Sequence, residues 1–324
     1  MSYPLPKIPF LRLRCTLRAQ EAAQLPPFKG SLLRGAFGHS LRRMVCVMGP
    51  QQACATCSLR TACTYTRLFE CFIEGEPPPL LRGLPSAPRP IVFEPGDLRR
   101  GFNTGETLTF DLLLLGQAVQ LQSFALLAIE RMAEAGLAAG RRRFCLERVE
   151  FPDAAGGWRV GFEQGGQPWP GTVPAALPPE PPPDLQRITI RFLTPTRFQT
   201  RGELETGTDF RNLVFKALRR VLELAHFHVP GEPLDWHFRP YLEAAEAVRQ
   251  VDAEFTWDDY QRYSNRQGRS LKMGGFVGHL TVEGELTPFL PLLAMAEVVH
   301  VGKGAIFGLG HLVVEAPGWP QASA

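Results

Sequence analysis

Between residues 8 and 17 the apolar positions Ile8, Phe10, Leu11, Leu13, Cys15 and Leu17 alternate with polar ones, and Arg12, Arg14 and Arg18 are interleaved. This is the period of a strand buried on one face. After a turn at Pro26-Pro27 the period lengthens. From Ser31, which has the chemistry of a helix N-cap, Leu33, Phe37, Leu41 and Met44 recur on one stripe, while Gly35, His39, Arg42 and Arg43 fall opposite. His39 is therefore expected to face away from the core, and Gly35 and Gly38 to leave close access to its side of the helix.

The stretch from Glu74 to Pro95 is rich in proline and predicts an extended surface loop holding a short strand, Ile91–Phe93. Glu106–Leu115 alternates as a strand, and Gln117–Ala135 has a helical period with Phe124, Leu127 and Met132 on its apolar side. Arg141–Phe151 and Trp158–Phe162 then read as strands. Strand, helix, strand, strand, helix, strand is the ferredoxin-like order.

Eight prolines between Pro168 and Pro183 interrupt any period and predict a linker. Beyond it the order repeats as strand Arg187–Leu193, helix Asp209–His226, strand Glu254–Trp257, strand Gly275–Leu286, helix Pro288–Val299 and strand His311–Glu315. A short echo accompanies the repeat. Leu126-Leu127-Ala128 and Leu292-Leu293-Ala294 are each followed by a glycine, Gly136 or Gly302, and then by a strand ending Val-Glu. The expected fold is α+β, with two tandem ferredoxin-like (RRM-like, βαββαβ) domains. Residues 1–166 form the first, with a cysteine-rich insertion at 46–71; 167–185 form the linker and 186–324 the second.

Composition narrows the function. A chain of 324 residues, 44% hydrophobic and 21% charged, is globular and long enough for two cores. Its formal net charge of +3 means that a nucleic-acid surface has to be a local patch. No apolar run approaches the ~20 residues of a membrane span, and the start, with Pro4, Pro6 and Pro9, lacks the form of a signal peptide. A cytoplasmic protein is expected. Seven cysteines, an odd number and mostly clustered, point to metal binding or free thiols in a reducing compartment.

Four stretches carry candidate chemistry. The first is His39 with its arginines, since an imidazole exchanges protons near neutrality and guanidinium groups hold phosphate; the same face also reads as a solvated basic surface. The second is Cys46, Cys54, Cys57 and Cys63, whose Cys-x2-Cys pair flanked by two more cysteines suits one structural zinc ion, an iron–sulfur cluster being the alternative. In the third, Trp257 precedes Arg262, Tyr263, Ser264, Asn265, Arg266, Gln267, Arg269 and Lys272. Cations there would meet phosphate and a ring would stack on an unpaired base. The fourth is Val301–Gly310, in which Gly302, Gly304, Gly308 and Gly310 surround Lys303. Bare backbone with one cation suits a polyanion, and it suits equally a tight helix-to-strand turn.

The series Phe28–Gly38, the cysteine cluster followed by Tyr65 and Phe69-Glu70, Arg262-x-Ser264-x-Arg266-Gln267 and the terminal glycine loop resembles the CRISPR-associated endoribonucleases of the RAMP superfamily that process precursor CRISPR RNA. The resemblance implies metal-independent cleavage within a repeat, with no catalytic cofactor, to 2′,3′-cyclic phosphate and 5′-hydroxyl ends. It implies His39 as the catalytic histidine, with Arg43 or Lys29 steadying the charge and Tyr65 or Tyr263 as candidates to assist. RNA contacts are expected from Arg34, Arg42, Arg262, Tyr263, Arg266, Arg269, Lys272, Gly302, Lys303, Gly304, Gly308 and Gly310. The partner is precursor CRISPR RNA or mature guide RNA, with other effector-complex subunits and no membrane. Two alternatives are a non-cleaving RNA-binding subunit and a metal-cluster protein without nuclease activity.

Overall fold

The computed structural model describes residues 3–49, 51–153, 156–259, 261–264 and 269–320, excepting the side chains of 261–264 and 269–272. It divides into two compact units, one of residues 9–176 and one of residues 177–320 joined by residues 3–8. Each unit is a sheet backed by helices on one face.

In the first unit β1 (Phe10–Ala19) leads to α1 (Gly30–Val45), β2 (Ile91–Glu94), β3 (Thr107–Leu115), α2 (Gln122–Ala135), β4 (Phe144–Pro152) and β5 (Trp158–Glu163). The sheet order is β2-β3-β1-β4-β5, and every neighbouring pair is antiparallel. This is the ferredoxin-like arrangement with one added edge strand. The β1 alternation holds: Leu11, Leu13, Cys15 and Leu17 are buried. On the opposite face Arg12 reaches Glu94 at 2.5 Å and Asp111 at 3.1 Å, and Arg14 reaches Asp111 at 3.0 Å with its guanidinium 3.8 Å from the Trp158 ring.

Helix α1 buries Leu33, Phe37 and Leu41, and Phe37 meets Phe93 edge-on at 5.3 Å. Its N-cap is Lys29, not Ser31, and no side chain caps it. The expected α2 stripe also differs. Ala125, Leu126, Ala128, Ile129 and Met132 are buried, whereas Phe124 and Leu127 are exposed. A 3-10 turn, Gly116–Leu121, precedes α2 and sets its rotation, which the continuous period assumed for 117–135 could not show.

The second unit runs β6 (Arg187–Thr196), α3 (Phe210–His228), α4 (Arg239–Glu246), β7 (Arg249–Asp258), β8 (Gln261–Ser264), β9 (Arg269–Lys272), β10 (Gly275–Glu283), α5 (Leu290–Val299) and β11 (Leu312–Glu315). Its sheet order, β7-β10-β6-β11, is again antiparallel and ferredoxin-like. Helix α3 is capped by Asp209, whose carboxylate accepts from the Asn212 amide at 2.7 Å. Phe276 is the centre of an aromatic cluster, with the Phe192, Phe255 and Phe198 rings 5.2, 5.2 and 5.5 Å away. A ring so enclosed contributes about 2–3 kcal/mol.

Two segments at the borders depart from simple tandem order. Residues 3–8 belong to the second unit: the Tyr3 ring lies 5.1 Å from Tyr241, and the Lys7 amide donates to Glu232 at 2.7 Å. Part of the proline-rich stretch packs back on the first unit. There Gln122 accepts from the Val173 amide and donates to its carbonyl, and Phe10 and Ala176 exchange backbone hydrogen bonds.

Candidate nucleic-acid interface

Helix α1 carries the first candidate group. With Leu33, Phe37 and Leu41 turned inward, the 100° step leaves Gly35, His39 and Arg43 exposed on the outer face. Arg34 and Arg42 lie half-buried at the flanks. The Arg34 guanidinium sits 3.9 Å from the Phe69 ring, and Arg42 donates to the Gln52 carbonyl at 2.7 Å with the Tyr65 ring 5.9 Å away. Packing thus fixes both guanidinium groups against the helix.

Of the rings beside them, Phe69 lies in and Tyr65 immediately precedes a single π-helical turn, Thr66–Glu70, closed by the Cys71 amide on the Thr66 carbonyl at 2.7 Å. Tyr65 stacks on Phe69 at 5.2 Å, and its hydroxyl donates to Glu70 at 3.2 Å. Burial, reinforced by Glu70, raises the Tyr65 pKa far above the usual phenol range. Gly38 is buried, not open: a Cβ there would lie 2.1 Å from the Phe69 ring. That close approach requires glycine, whereas Gly35 faces open space.

Lys29 does not belong with these groups. It is fully buried, and its ammonium donates to the carbonyls of Pro27 at 3.2 Å, Asp97 at 2.6 Å and Arg99 at 2.6 Å. All three of its donors are used, two of them to fasten the 95–101 loop to the start of α1 and one on the adjacent Pro27. Burial pushes its pKa down, partly offset by Asp97.

The cysteines flank the same helix end. Four thiolates around one zinc ion at 2.3 Å would lie about 3.8 Å from one another. Among the described residues, no three of the Cys46, Cys54, Cys57 and Cys63 sulfurs lie within 4.8 Å of one another. The residues as placed do not fit a closed tetrahedral ion. Burial raises the Cys54 thiol, with Arg42 opposing it.

In the second unit the glycine loop is a tight turn built on the end of β6. The amides of Val301, Lys303, Phe307, Gly308 and Gly310 donate to Gly310, Arg197, Gly304, Ala305 and Pro195, so these five do not point at a ligand. Gly310 has φ 68°, and a Cβ on it would lie 1.8 Å from the Val301 carbonyl oxygen. Gly308 and Gly310 are buried, against the expectation that they touch RNA; Gly302 and Gly304 are half-buried and Lys303 is exposed, its ammonium donating to Gln199. Sequence reasoning passed over the loop's two flanks. His300 is fully buried with φ 57°, and its ring stacks on His311 at 4.6 Å and 9°. Their positions at either end of the loop were the available signal.

Arg262 and Tyr263 lie on β8 and Arg269 and Lys272 on β9, an antiparallel hairpin pairing Gln261 with Lys272. Their side chains, and Arg266 altogether, lie outside the described residues. Charges on the β6 and β10 face away from the helices are matched within the sheet: Arg187 with Glu283 at 2.6 Å, Arg191 with Glu315 at 2.5 Å, and His279 with Asp252 at 2.8 Å. No helix among the described residues is long and apolar enough to cross a membrane.

Residues 8–168 match the AF_1859_N family model, described as an N-terminal domain, and residues 190–312 match the model of the CRISPR-associated endoribonuclease Cas6. An uncharacterized protein of Archaeoglobus fulgidus is 25% identical over 291 residues, 88% of this chain and 91% of that one. The fold is similar to that of a Cas6 product complex at TM-score 0.54 and 19% identity, covering 94% of this chain and 99% of that one. Thermus thermophilus Cas6 matches at TM-score 0.50 and 17% identity over 97% and 100% of the two chains. A partial Cas6-RT-Cas1–Cas2 complex matches at TM-score 0.57 and 14% identity, over 99% of this chain and 47% of that one. The resemblance read from the sequence therefore holds at the level of the fold, which is similar to that of Cas6 over nearly the whole chain, and residues 190–312 match the Cas6 endoribonuclease model.

Proposed function

We propose that this chain is an endoribonuclease that cuts precursor CRISPR RNA within its repeats without a metal ion, leaving 2′,3′-cyclic phosphate and 5′-hydroxyl ends. The observation that carries the reading is the exposed His39 on the outer face of α1, with Arg43 one turn on. The match of residues 190–312 to an endoribonuclease family, and a fold similar to that of Cas6 in a product complex, support RNA as the substrate.

In this reading the ribose 2′-oxygen attacks the adjacent phosphorus as His39 takes its proton. The bond from phosphorus to the 5′-oxygen breaks, and the leaving oxygen is protonated from water. Arg43 compensates charge on the crowded phosphorane, and Arg34 and Arg42, held by Phe69 and Gln52, position neighbouring phosphates. Lys303, Arg262, Arg266, Arg269, Lys272 and Tyr263 are assigned to RNA affinity and not to the cut.

Incubating the repeat RNA with EDTA and either wild type or His39→Ala tests the proposal. Wild type should cut, and the variant should lose about 10²–10⁴-fold in rate while holding RNA within about threefold of wild-type affinity. Equal cleavage by both proteins, or cleavage that needs added magnesium, refutes it. A second reading, a non-cleaving subunit that holds guide RNA within an effector complex, is favoured by the enclosure of Lys29 and Tyr65, two of the groups expected to serve the cut with His39. RNA bound and uncut by wild type would select that reading.

A further inference from the structure

The connections β1–α1, β2–β3 and α2–β4 close one end of the first unit, and they carry charge out of proportion to the chain. The stretch Ala19–Leu25 is bordered on both sides. The Gln20 amide donates to the Arg143 carbonyl at 2.9 Å. On the other side Gly105 donates to Ala19 at 2.8 Å, Ala23 pairs with Phe102, and Leu25 donates to the Arg100 carbonyl at 2.8 Å. The Phe102 and Phe144 rings meet edge-on at 6.2 Å beneath. One surface therefore gathers Arg99, Arg100, Arg141, Arg142 and Arg143, all exposed.

Leaving out the buried Lys29, residues 20–29, 95–106 and 136–143 hold five arginines and three carboxylates, an excess of two on a 324-residue chain whose whole net charge is +3. Asp97 holds Arg99 at 2.7 Å and Glu21 holds Arg142 at 3.2 Å, while Arg100, Arg141 and Arg143 stand among them. The consecutive arginines are fixed by a rigid turn, not carried on loose chain. Leu137 and Arg142 form a backbone bridge, the Arg141 amide donates to Ala138 at 3.1 Å, and Arg141 has φ 46°, a conformation strained for arginine. A turn whose backbone is already ordered loses less entropy when its side chains meet an anion.

We infer that this end of the first unit binds the backbone phosphates of a single-stranded stretch of the RNA flanking the cut. The inference rests on the proposed function. Helix α1 starts at this end, so its ninth residue beyond Gly30, His39, lies about 14 Å further along the axis. A strand reaching His39 from this side would pass over the arginines, whose positive potential is local, as the nearly neutral chain requires.

The experiment measures RNA affinity against salt for wild type, for Arg100→Gln/Arg141→Gln/Arg143→Gln, and for a control, Arg187→Gln/Arg191→Gln/Arg249→Gln, in the ion-paired sheet of the second unit. For a single strand the slope of log K against log salt is about −0.7 per phosphate contact, so the patch variant should lose about 2 from its slope. The control should keep it. Lysine at all three patch positions should restore the slope, because a phosphate accepts either cation, and this rescue separates charge from misfolding. An unchanged slope in the patch variant, an equal loss in the control, or failure of lysine to rescue overturns the inference while leaving the nuclease reading intact. Wild type that binds no RNA overturns both.

Discussion

Glu297 offers a quantitative test of how the second unit is held together. It lies on α5, only 5% exposed, and its carboxylate accepts from the Val314 amide at 2.5 Å and from the Trp319 indole at 3.1 and 3.2 Å. Burial nevertheless outweighs these donors and pushes its pKa up to about 7. A carboxyl whose folded pKa is raised favours the folded state while neutral, and that advantage is lost as pH rises from its unfolded value of about 4.3 through the folded one. Each pKa unit is worth about 1.4 kcal/mol, so the interval amounts to roughly 4 kcal/mol, present in full below about pH 4 and gone above about pH 8. Glu297→Gln keeps an acceptor for Val314 and cannot ionise. Urea unfolding of both proteins between pH 5 and 8.5 should show wild type losing stability relative to the variant by about 2–3 kcal/mol. A difference flat to within about 0.5 kcal/mol across that range would refute the raised pKa and the reasoning behind it.

Other outcomes follow from the first unit. Gly35→Ala should stabilise α1 by up to about 1 kcal/mol, because its Cβ meets open space, whereas Gly38→Ala should destabilise by about 1–2 kcal/mol, because its Cβ meets the Phe69 ring. Urea midpoints of the two variants should move in opposite directions. Lys29→Met leaves the carbonyls of Pro27, Asp97 and Arg99 without their shared donor and should cost about 3 kcal/mol. Faster proteolysis within the 95–101 loop, with the proposed cleavage slowed only as far as folding is lost, would distinguish this structural role from a catalytic one.

The ferredoxin-like order was legible because both halves depend on patterns that sequence states directly: the alternation of Leu11, Leu13, Cys15 and Leu17, and the α1 stripe of Leu33, Phe37 and Leu41. What escaped was set by tertiary partners. Lys29 reads as a solvent cation until the carbonyls of Asp97 and Arg99, some seventy residues away, are placed around it. Gly38 reads as access until Phe69 is laid over it, and the rotation of α2 depends on a preceding 3-10 turn that a single helical period hides. The glycines from 302 to 310 were seen, but composition alone does not separate a loop that opens its amides to a ligand from one that spends them on itself. Residues 3–8 carry too little pattern to reveal that they pack with the second unit.

The placement of charge also bears on where the proposed RNA would lie. RRM-type readers stack bases on aromatic residues of the open sheet face. In this chain the large aromatic residues Phe93, Phe110, Phe192 and Phe276 are buried. On the faces away from the helices, Arg12 and Arg14 are bound to Glu94 and Asp111, and Arg187 and Arg191 to Glu283 and Glu315. Trp158, a ring that does sit on such a face, is already covered by Arg14. Breaking those pairs to admit phosphate would strand a carboxylate against the same phosphate, so binding there is opposed twice. In the arginine loops at the starting end of α1 two of five arginines are held in this way, Arg99 by Asp97 and Arg142 by Glu21, so the proposed RNA contact is expected on these loops and on the outer face of α1, with the sheets serving as the frame that holds them.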